Sequence, residues 1–297
     1  MFRAALIMFV AMSLIPLGDS AGKLLVTRYD FHPFFLAWSR FALGALMILP
    51  FLPHGQFDPR LFLDWRIWLR GLLIVAGISS ILTALQTEPL PTVFGAFFVG
   101  PILSFFLSAW LLKEPVTKSQ TFLLLLGFCG VLLVVKPGFG MTSGVGFAVL
   151  AGLFYGSFLT ASRWLTHTAP PHALLLTHLI IGAVTLAPLG LTHIPQFDVT
   201  ITSLTIFSAA ASMAGNLLLV IAYRLAPASR LAPFVYFQLI SATILGWAVF
   251  GDWPDTLTLL GLLLLIVTGF GSVAQYPNAA TRPVPLSESK KHPPSVH

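Results

Sequence analysis

Arg40 and His178 are the residues whose types and placement could most directly do chemistry, because each sits inside a long apolar run. A charge in such a run is expensive and ordinarily faces a cavity or a partner. Arg40 falls about eight residues into its run, roughly 12 Å deep at 1.5 Å per residue. Its guanidinium either meets a carboxylate or other anionic group of a ligand, or caps backbone carbonyls and fixes helix packing. His178 holds the matching place when FLAWSRFALGALMILP, 35–50, is laid on ALLLTHLIIGAVTLAP, 173–188. Its imidazole could sense or relay a proton, or be a satisfied polar spot in the interior. Asp19 and Lys23 lie four apart and share one helix face. That spacing reads as an ion pair at the outer membrane interface, or alternatively as a half-buried Asp19 carboxylate that takes up protons near neutrality.

A second group of polar side chains inside apolar runs comprises Gln86, Asn216 and Gln238 with Tyr155, Tyr223 and Tyr236. Each could hydrogen-bond a ligand or a neighbouring helix, and the second is the commoner use. Trp38, Trp164 and some of the 26 Phe supply aromatic walls. The expected binding cavity is lined by Arg40, Gln86, Phe97, Tyr155, Asn216, Tyr236 and Gln238, with Asp19 and His178 as proton-coupling candidates. Glu88, Glu114 and Asp252 stand at the ends of apolar runs and read as loop or cap residues. The sequence holds no Gly-x-x-x-x-Gly-Lys-Ser/Thr loop, so ATP does not drive the chain directly. It also lacks His-Glu-x-x-His, paired metal-ligand spacing and a Gly-x-Ser-x-Gly elbow, so no catalytic residue, metal or cofactor is implied. Cys129 is alone in an apolar run and reads as packing.

The elements that must carry these residues follow from composition. The chain is 57% hydrophobic and 9% charged, with a mean hydropathy of +0.90. Apolar runs of about 18 to 25 residues recur, the length that crosses roughly 30 Å of hydrocarbon as a helix. Alternating ten-residue strands with a polar lumen face, as in a membrane barrel, are absent. Spans are expected near 4–24, 33–53, 68–87, 93–112, 119–136, 144–164, 172–192, 200–225, 230–250 and 256–275. The first is read as a span and not as a cleaved signal, because Asp19 would sit where a cleavage site needs small residues.

Most of the 16 Lys and Arg fall on one side of such a layout, including Arg60, Arg66, Arg70, Lys113, Lys118, Arg163, Arg224 and Arg230. Lys23, Arg28 and Lys136 fall on the other. The positive-inside rule then puts both termini in the cytoplasm. Trp65 and Trp68, flanked by Arg60, Arg66 and Arg70, read as an anchor at the inner interface. The net charge of +6 is a consequence of this topology, and nucleic acid is not an expected partner.

The chain also repeats itself. AGISSILTALQTEPLPTVFGAFF, 76–98, returns 138 residues later as AGNLLLVIAYRLAPASRLAPFVY, 214–236. Ala76/Ala214, Gly77/Gly215, Ala84/Ala222 and Pro89/Pro227 coincide, and the same offset pairs Gly44/Gly182, Ala45/Ala183 and Pro50/Pro188. Such self-similarity decides the fold before other signals do. Five spans per copy is an odd number, so the second copy enters the membrane upside down. The expected fold is an all-α integral membrane protein with ten transmembrane helices as two inverted five-helix repeats, 1–136 and 144–275. An outer linker at 137–143 joins them, and a polar, disordered cytoplasmic tail spans 276–297. Inverted repeats put a substrate site near the midplane, between the copies.

The two halves resemble two copies of the EamA module of the drug/metabolite transporter superfamily. The residues that carry the resemblance are Ala84-Leu-Gln-Thr-Glu-Pro89, Pro101, Leu112-Lys-Glu-Pro-Val-Thr117 and Gly130 in the first half. In the second they are Ala222-Tyr-Arg-Leu-Ala-Pro227, Gly251-Asp252, Gly261 and Gly269. The second half departs from the pattern with Leu239 where Pro101 stands in the first, and Leu123 stands where the second has Gly261. Ala232 to Leu239 with Gly-Asp-Trp-Pro-Asp255 resembles a branch containing riboflavin and S-adenosylmethionine importers and opine-metallophore exporters. The resemblance implies a secondary transporter of the bacterial inner membrane, and places an Arg in the helix of Arg40.

The expected function is export of a small amphipathic metabolite, amino-acid-like or metallophore-like, by alternating access, with protons as a candidate coupling ion. Import of a cofactor such as riboflavin or S-adenosylmethionine is the alternative. A non-transporting membrane scaffold is a third reading.

Overall fold

The computed structural model describes residues 2–52, 58–113, 118–136, 141–165, 168–225 and 237–274. Residues 137–140 of the expected linker, Glu114, Pro227, Tyr236 and the expected tail lie outside the described residues. Among the described residues every regular element is a helix and no strand occurs. The helices are α1 Phe2–Arg28, α2 Pro33–Ile48, α3 Trp65–Ala84, α4 Leu90–Phe97, α5 Val99–Leu111 and α6 Lys118–Val135. There follow α7 Ser143–Trp164, α8 Pro171–Gly190, α9 Val199–Leu225, α10 Phe237–Leu245 and α11 Thr256–Ala274.

Seven stretches among the described residues are long and apolar enough to cross a membrane, the α4–α5 pair counting as one, Leu90–Leu111. Thr121–Val135, Phe237–Phe250 and Thr256–Thr268 are shorter apolar helices. The first residues of the span expected at 230–250 lie outside the described residues.

Local sequence explains where the helices start and stop. His32 accepts from the Phe34 amide ahead of Pro33, Asp64 from Arg66 N, and Thr142 from Val145 N. Each satisfies a backbone donor that the first helical turn leaves without a partner. The span expected at 93–112 breaks at Phe98. Pro101 has no N–H for the Phe97 carbonyl and its ring crowds that turn, which is the usual cause of a kink. α10 closes through a wider turn at Gly246–Phe250 onto Gly251, whose φ of 74° is left-handed. Glycine adopts that conformation without a Cβ penalty.

Interhelical packing mirrors itself across the chain. A shift of 138 residues takes α1 onto α7, α2 onto α8, α3 onto α9, the α4–α5 pair onto α10 and α6 onto α11. α1 packs along α9, and their mates α7 and α3 pack together. α2 meets α9 as α8 meets α3, while α2·α8 and α6·α11 are pairs of mates. Side chains repeat the exchange. A Cβ at Gly182 would lie 2.3 Å from Phe41, and one at Gly44 would lie 3.2 Å from Leu179. Gly44/Gly182 and Phe41/Leu179 are both pairs at the repeat offset. The core, with Phe31, Phe41, Phe94, Phe98, Leu82 and Leu90 fully buried, surrounds a polar interior where α1, α2, α3, α7, α8 and α9 converge.

Candidate functional site

Arg40 sits on α2 and is 5% exposed. Its Nη1 donates to Asp19 Oδ1 at 2.5 Å, Nη2 to the Gly18 carbonyl at 2.7 Å, and Nε to Ser208 Oγ at 2.9 Å. Ser208 in turn donates to the same Gly18 carbonyl at 2.8 Å. α1, α2 and α9 are thereby tied by one charged network. The approach requires Gly22, where a Cβ would stand 2.6 Å from Arg40 Nη2.

Beside this network lies a cavity of about 70 Å³, room for on the order of five waters. Its polar lining is Asp19, Arg40, Tyr155, His178, Ser212, Asn216 and Gln238. Its aromatic wall is a connected ladder. Ring centroids run Phe94 to Phe97 at 6.3 Å, Phe97 to Tyr155 at 4.8 Å, Tyr155 to Phe158 at 6.0 Å and Phe158 to His178 at 5.8 Å. A neighbouring pocket shares Arg40, His178, Ser212 and Asn216.

Of the residues expected from sequence, Arg40, Phe97, Tyr155, Asn216 and Gln238 line the cavity, as do Asp19 and His178. Gln86 does not. α3 ends at Ala84, two residues before it, and Gln86 is exposed in the turn that leads to α4. Tyr236 lies outside the described residues. Asn216 donates to the Ser212 carbonyl one turn back on its own helix at 2.8 Å. His178 Nδ1 is buried without a hydrogen-bond partner among the described residues, so the ring is not the satisfied spot that sequence allowed.

The expected Asp19–Lys23 pair does not form. Asp19 joins Arg40, and Lys23 crosses to Asp252 at 2.8 Å with its ammonium 4.6 Å over the Phe250 ring. Spacing along α1 puts both on one face, but the partners arrive from other helices. Asp252 is therefore an ion-pair partner rather than a cap, and Lys136 binds Asp255. Glu88 is also more than a loop residue, since Thr142 Oγ1 hydrogen-bonds its buried carboxylate. His32 stacks on His193 at 3.8 Å. Burial, and then the charge of His193, lowers the His32 pKa below the usual imidazole value.

Sequence reasoning missed Phe94, Phe158 and Ser212 on the cavity and misjudged Arg70. Trp65 is exposed, as an interfacial anchor would be, but Arg70 is 6% exposed. Its Nε donates to Ser162 Oγ and its Nη1 to the Leu174 carbonyl, both at 2.8 Å. Its place as the sixth residue of α3, turned away from the exposed Trp65 and Leu69, is the available signal. Cys129 is exposed rather than packed inside.

The profile of the EamA-like transporter family matches residues 2–136 and again 142–273. This chain belongs to the EamA-like transporter family. As such it is a multi-pass membrane protein of the transporter class. It is similar to the S-adenosylmethionine uptake transporter of Rickettsia bellii, 24% identical over 254 residues that cover 84% of this chain and 86% of the relative. It is also similar to the riboflavin transporter of Brucella anthropi, 26% identical over 255 residues covering 81% and 90%. A solved crystal structure shares the fold of this EamA-like transporter with a TM-score of 0.64 at 18% identity, covering 92% of this chain and 96% of that one.

Proposed function

We propose that the protein imports a small metabolite bearing a flat heteroaromatic ring, a class that includes S-adenosylmethionine and riboflavin, across a bacterial inner membrane. One observation carries this reading. The cavity joins an aromatic ladder, suited to the face of a planar ring, to a buried charged network, and takes its walls from both halves of the chain. Sequence alone led to export. The relatives named for uptake of S-adenosylmethionine favour the opposite direction.

The proposed membrane arrangement is ten spans in two inverted repeats, 1–136 and 144–275, with both termini cytoplasmic. The mirrored packing of α1·α9 with α7·α3 supports it, as does the placement of Lys and Arg. Nothing the size of S-adenosylmethionine fits a 70 Å³ cavity, so loading requires the helices to part. That agrees with alternating access at a repeat interface. Arg40, Phe97, Tyr155, Asn216 and Gln238 are proposed to contact the substrate. Asp19 is the proposed proton-coupling group, because its protonation would release Arg40. His178 is the second candidate.

The test is uptake of labelled S-adenosylmethionine and riboflavin into proteoliposomes, with growth rescue of an auxotroph for each. Accumulation above empty vesicles, lost in Arg40→Ala, supports the proposal. Metabolite enrichment outside producing cells would establish export instead. Purified protein with neither counterflow nor ligand-dependent stabilisation would leave the scaffold reading.

A further inference from the structure

The repeat offset relates two polar clusters that differ in charge. Asp19 on α1, Arg40 on α2 and Ser208 on α9 map onto Ser157 on α7, His178 on α8 and Arg70 on α3. In the first cluster the acid neutralises the guanidinium at 2.5 Å. In the second, the place of the acid is taken by Ser157, whose hydroxyl donates to Leu153 in its own helix. Arg70 thus lies buried with hydroxyl and carbonyl acceptors only, and no carboxylate pairs with it among the described residues. A buried ion without a counter-ion is costly. The imidazole of the same cluster has its own buried Nδ1 unpartnered.

We propose that the Arg70–His178 cluster is a second binding subsite, which receives a carboxylate or phosphate group of the transported molecule. Arg70 stands one side chain back from the cavity. Phe158 lines the cavity and covers the guanidinium at 4.7 Å, and His178 meets the same ring edge-on. Rotation of Phe158 about its side-chain bonds opens the cavity to Arg70. The guanidinium N–H groups not already donating to Ser162 and Leu174, joined by His178 in the tautomer that carries its proton on Nδ1, then supply donors in a site that lacks only negative charge, the setting in which charge-assisted hydrogen bonds are strongest. The inference rests on the transport reading only in taking the bound molecule to be the transported one.

The experiment compares ligands that differ by one anionic group. Binding to the purified full chain in detergent is measured for S-adenosylmethionine against its decarboxylated analogue, and for flavin mononucleotide against riboflavin. Wild type is expected to prefer the member that bears the carboxylate or phosphate in at least one pair by about tenfold or more, the size of a hydrogen bond to a charged group. Arg70→Met is expected to lose that preference. Its ligand-free melting temperature should equal or exceed wild type, because it removes an uncompensated charge; a purely structural Arg70 predicts a fall.

Arg70→Lys, which keeps the charge but not the fork, should retain a reduced preference and serves if the Met variant does not fold. No preference in wild type for the carboxylate- or phosphate-bearing member of either pair overturns the proposal, as does an unchanged preference in the variants. Inorganic phosphate that stabilises wild type but not Arg70→Met, with no discrimination within either pair, assigns the site to a free anion and also overturns it. Counterflow separates the two readings. Equal transport of S-adenosylmethionine by wild type and Arg70→Met removes the subsite and leaves the transporter. Arg70-dependent binding without transport of any ligand does the reverse.

Discussion

The Asp19 carboxylate meets the Arg40 guanidinium at 2.5 Å across the α1–α2 contact, with both residues about 5% exposed. Removing one member leaves the other charged and buried, which typically costs about 3–5 kcal/mol. Arg40→Gln and Asp19→Asn are therefore each expected to melt well below wild type, and the two combined to recover much of the loss. A double-mutant cycle of thermal unfolding in detergent checks this. Additive effects of the two single substitutions would mean that the pair is not coupled.

Lys23 depends on Asp252 in the same sense. Lys23 is 7% exposed, and its ammonium has the Asp252 carboxylate and the Phe250 ring as partners. Asp252→Ala leaves it with the ring alone, so stability should fall by about 1–3 kcal/mol, discounted from a fully buried pair because Asp252 is partly exposed. Asp252→Glu should recover most of the loss, and melting curves of both variants decide the matter.

What the sequence made legible was depth and duplication. Arg40 and Asn216 stand out because polar side chains in apolar runs must face the interior, and both line the cavity. Gln86 failed because the end of an apolar run does not mark the last helical turn within two residues, and α3 stops at Ala84. The Asp19–Lys23 pair failed for a different reason. Four-residue spacing fixes a shared face but not which helix packs against it, and α2 brings Arg40 to Asp19 first. Arg70 was obscured by its neighbours, since Trp65, Arg66 and Trp68 make the whole segment resemble a membrane anchor.

Gly156 marks the tightest crossing. A Cβ there would stand 2.2 Å from the Gly100 carbonyl oxygen, and one at Gly152 would stand 2.5 Å from that of Phe97. The obstacle is backbone, which cannot rotate away as a side chain can. Gly156→Ala is expected to destabilise at or beyond the upper end of the usual overpacking range of about 1–3 kcal/mol. Gly146→Ala on the same helix meets only Met141 at 3.8 Å and should be nearly neutral. Thermal melting of the two variants side by side gives the comparison, and equal behaviour would contradict the close α5–α7 approach.

Asp255 carries the pH dependence of the first turn of α11. Its Oδ1 accepts from Thr258 N at 2.9 Å as the helix cap, and its Oδ2 binds Lys136. The Lys136 hydrogen bond first, and the Thr258 amide second, lower its pKa below the ordinary carboxylate value. A carboxyl with a depressed folded-state pKa contributes stability that is fully present above its unfolded value and is lost as pH falls through the folded one. Acidification from neutrality to below the carboxylate range should therefore loosen the α6–α11 end. Asp255 is largely exposed, so the contribution is modest. Asp255→Asn keeps a capping oxygen but cannot titrate. It should show a shallower loss of melting temperature as pH falls from the ordinary carboxylate value downward, while Asp255→Ala loses the cap as well, about 1 kcal/mol at every pH. An unchanged pH profile in Asp255→Asn would show that other acids govern the acid limb.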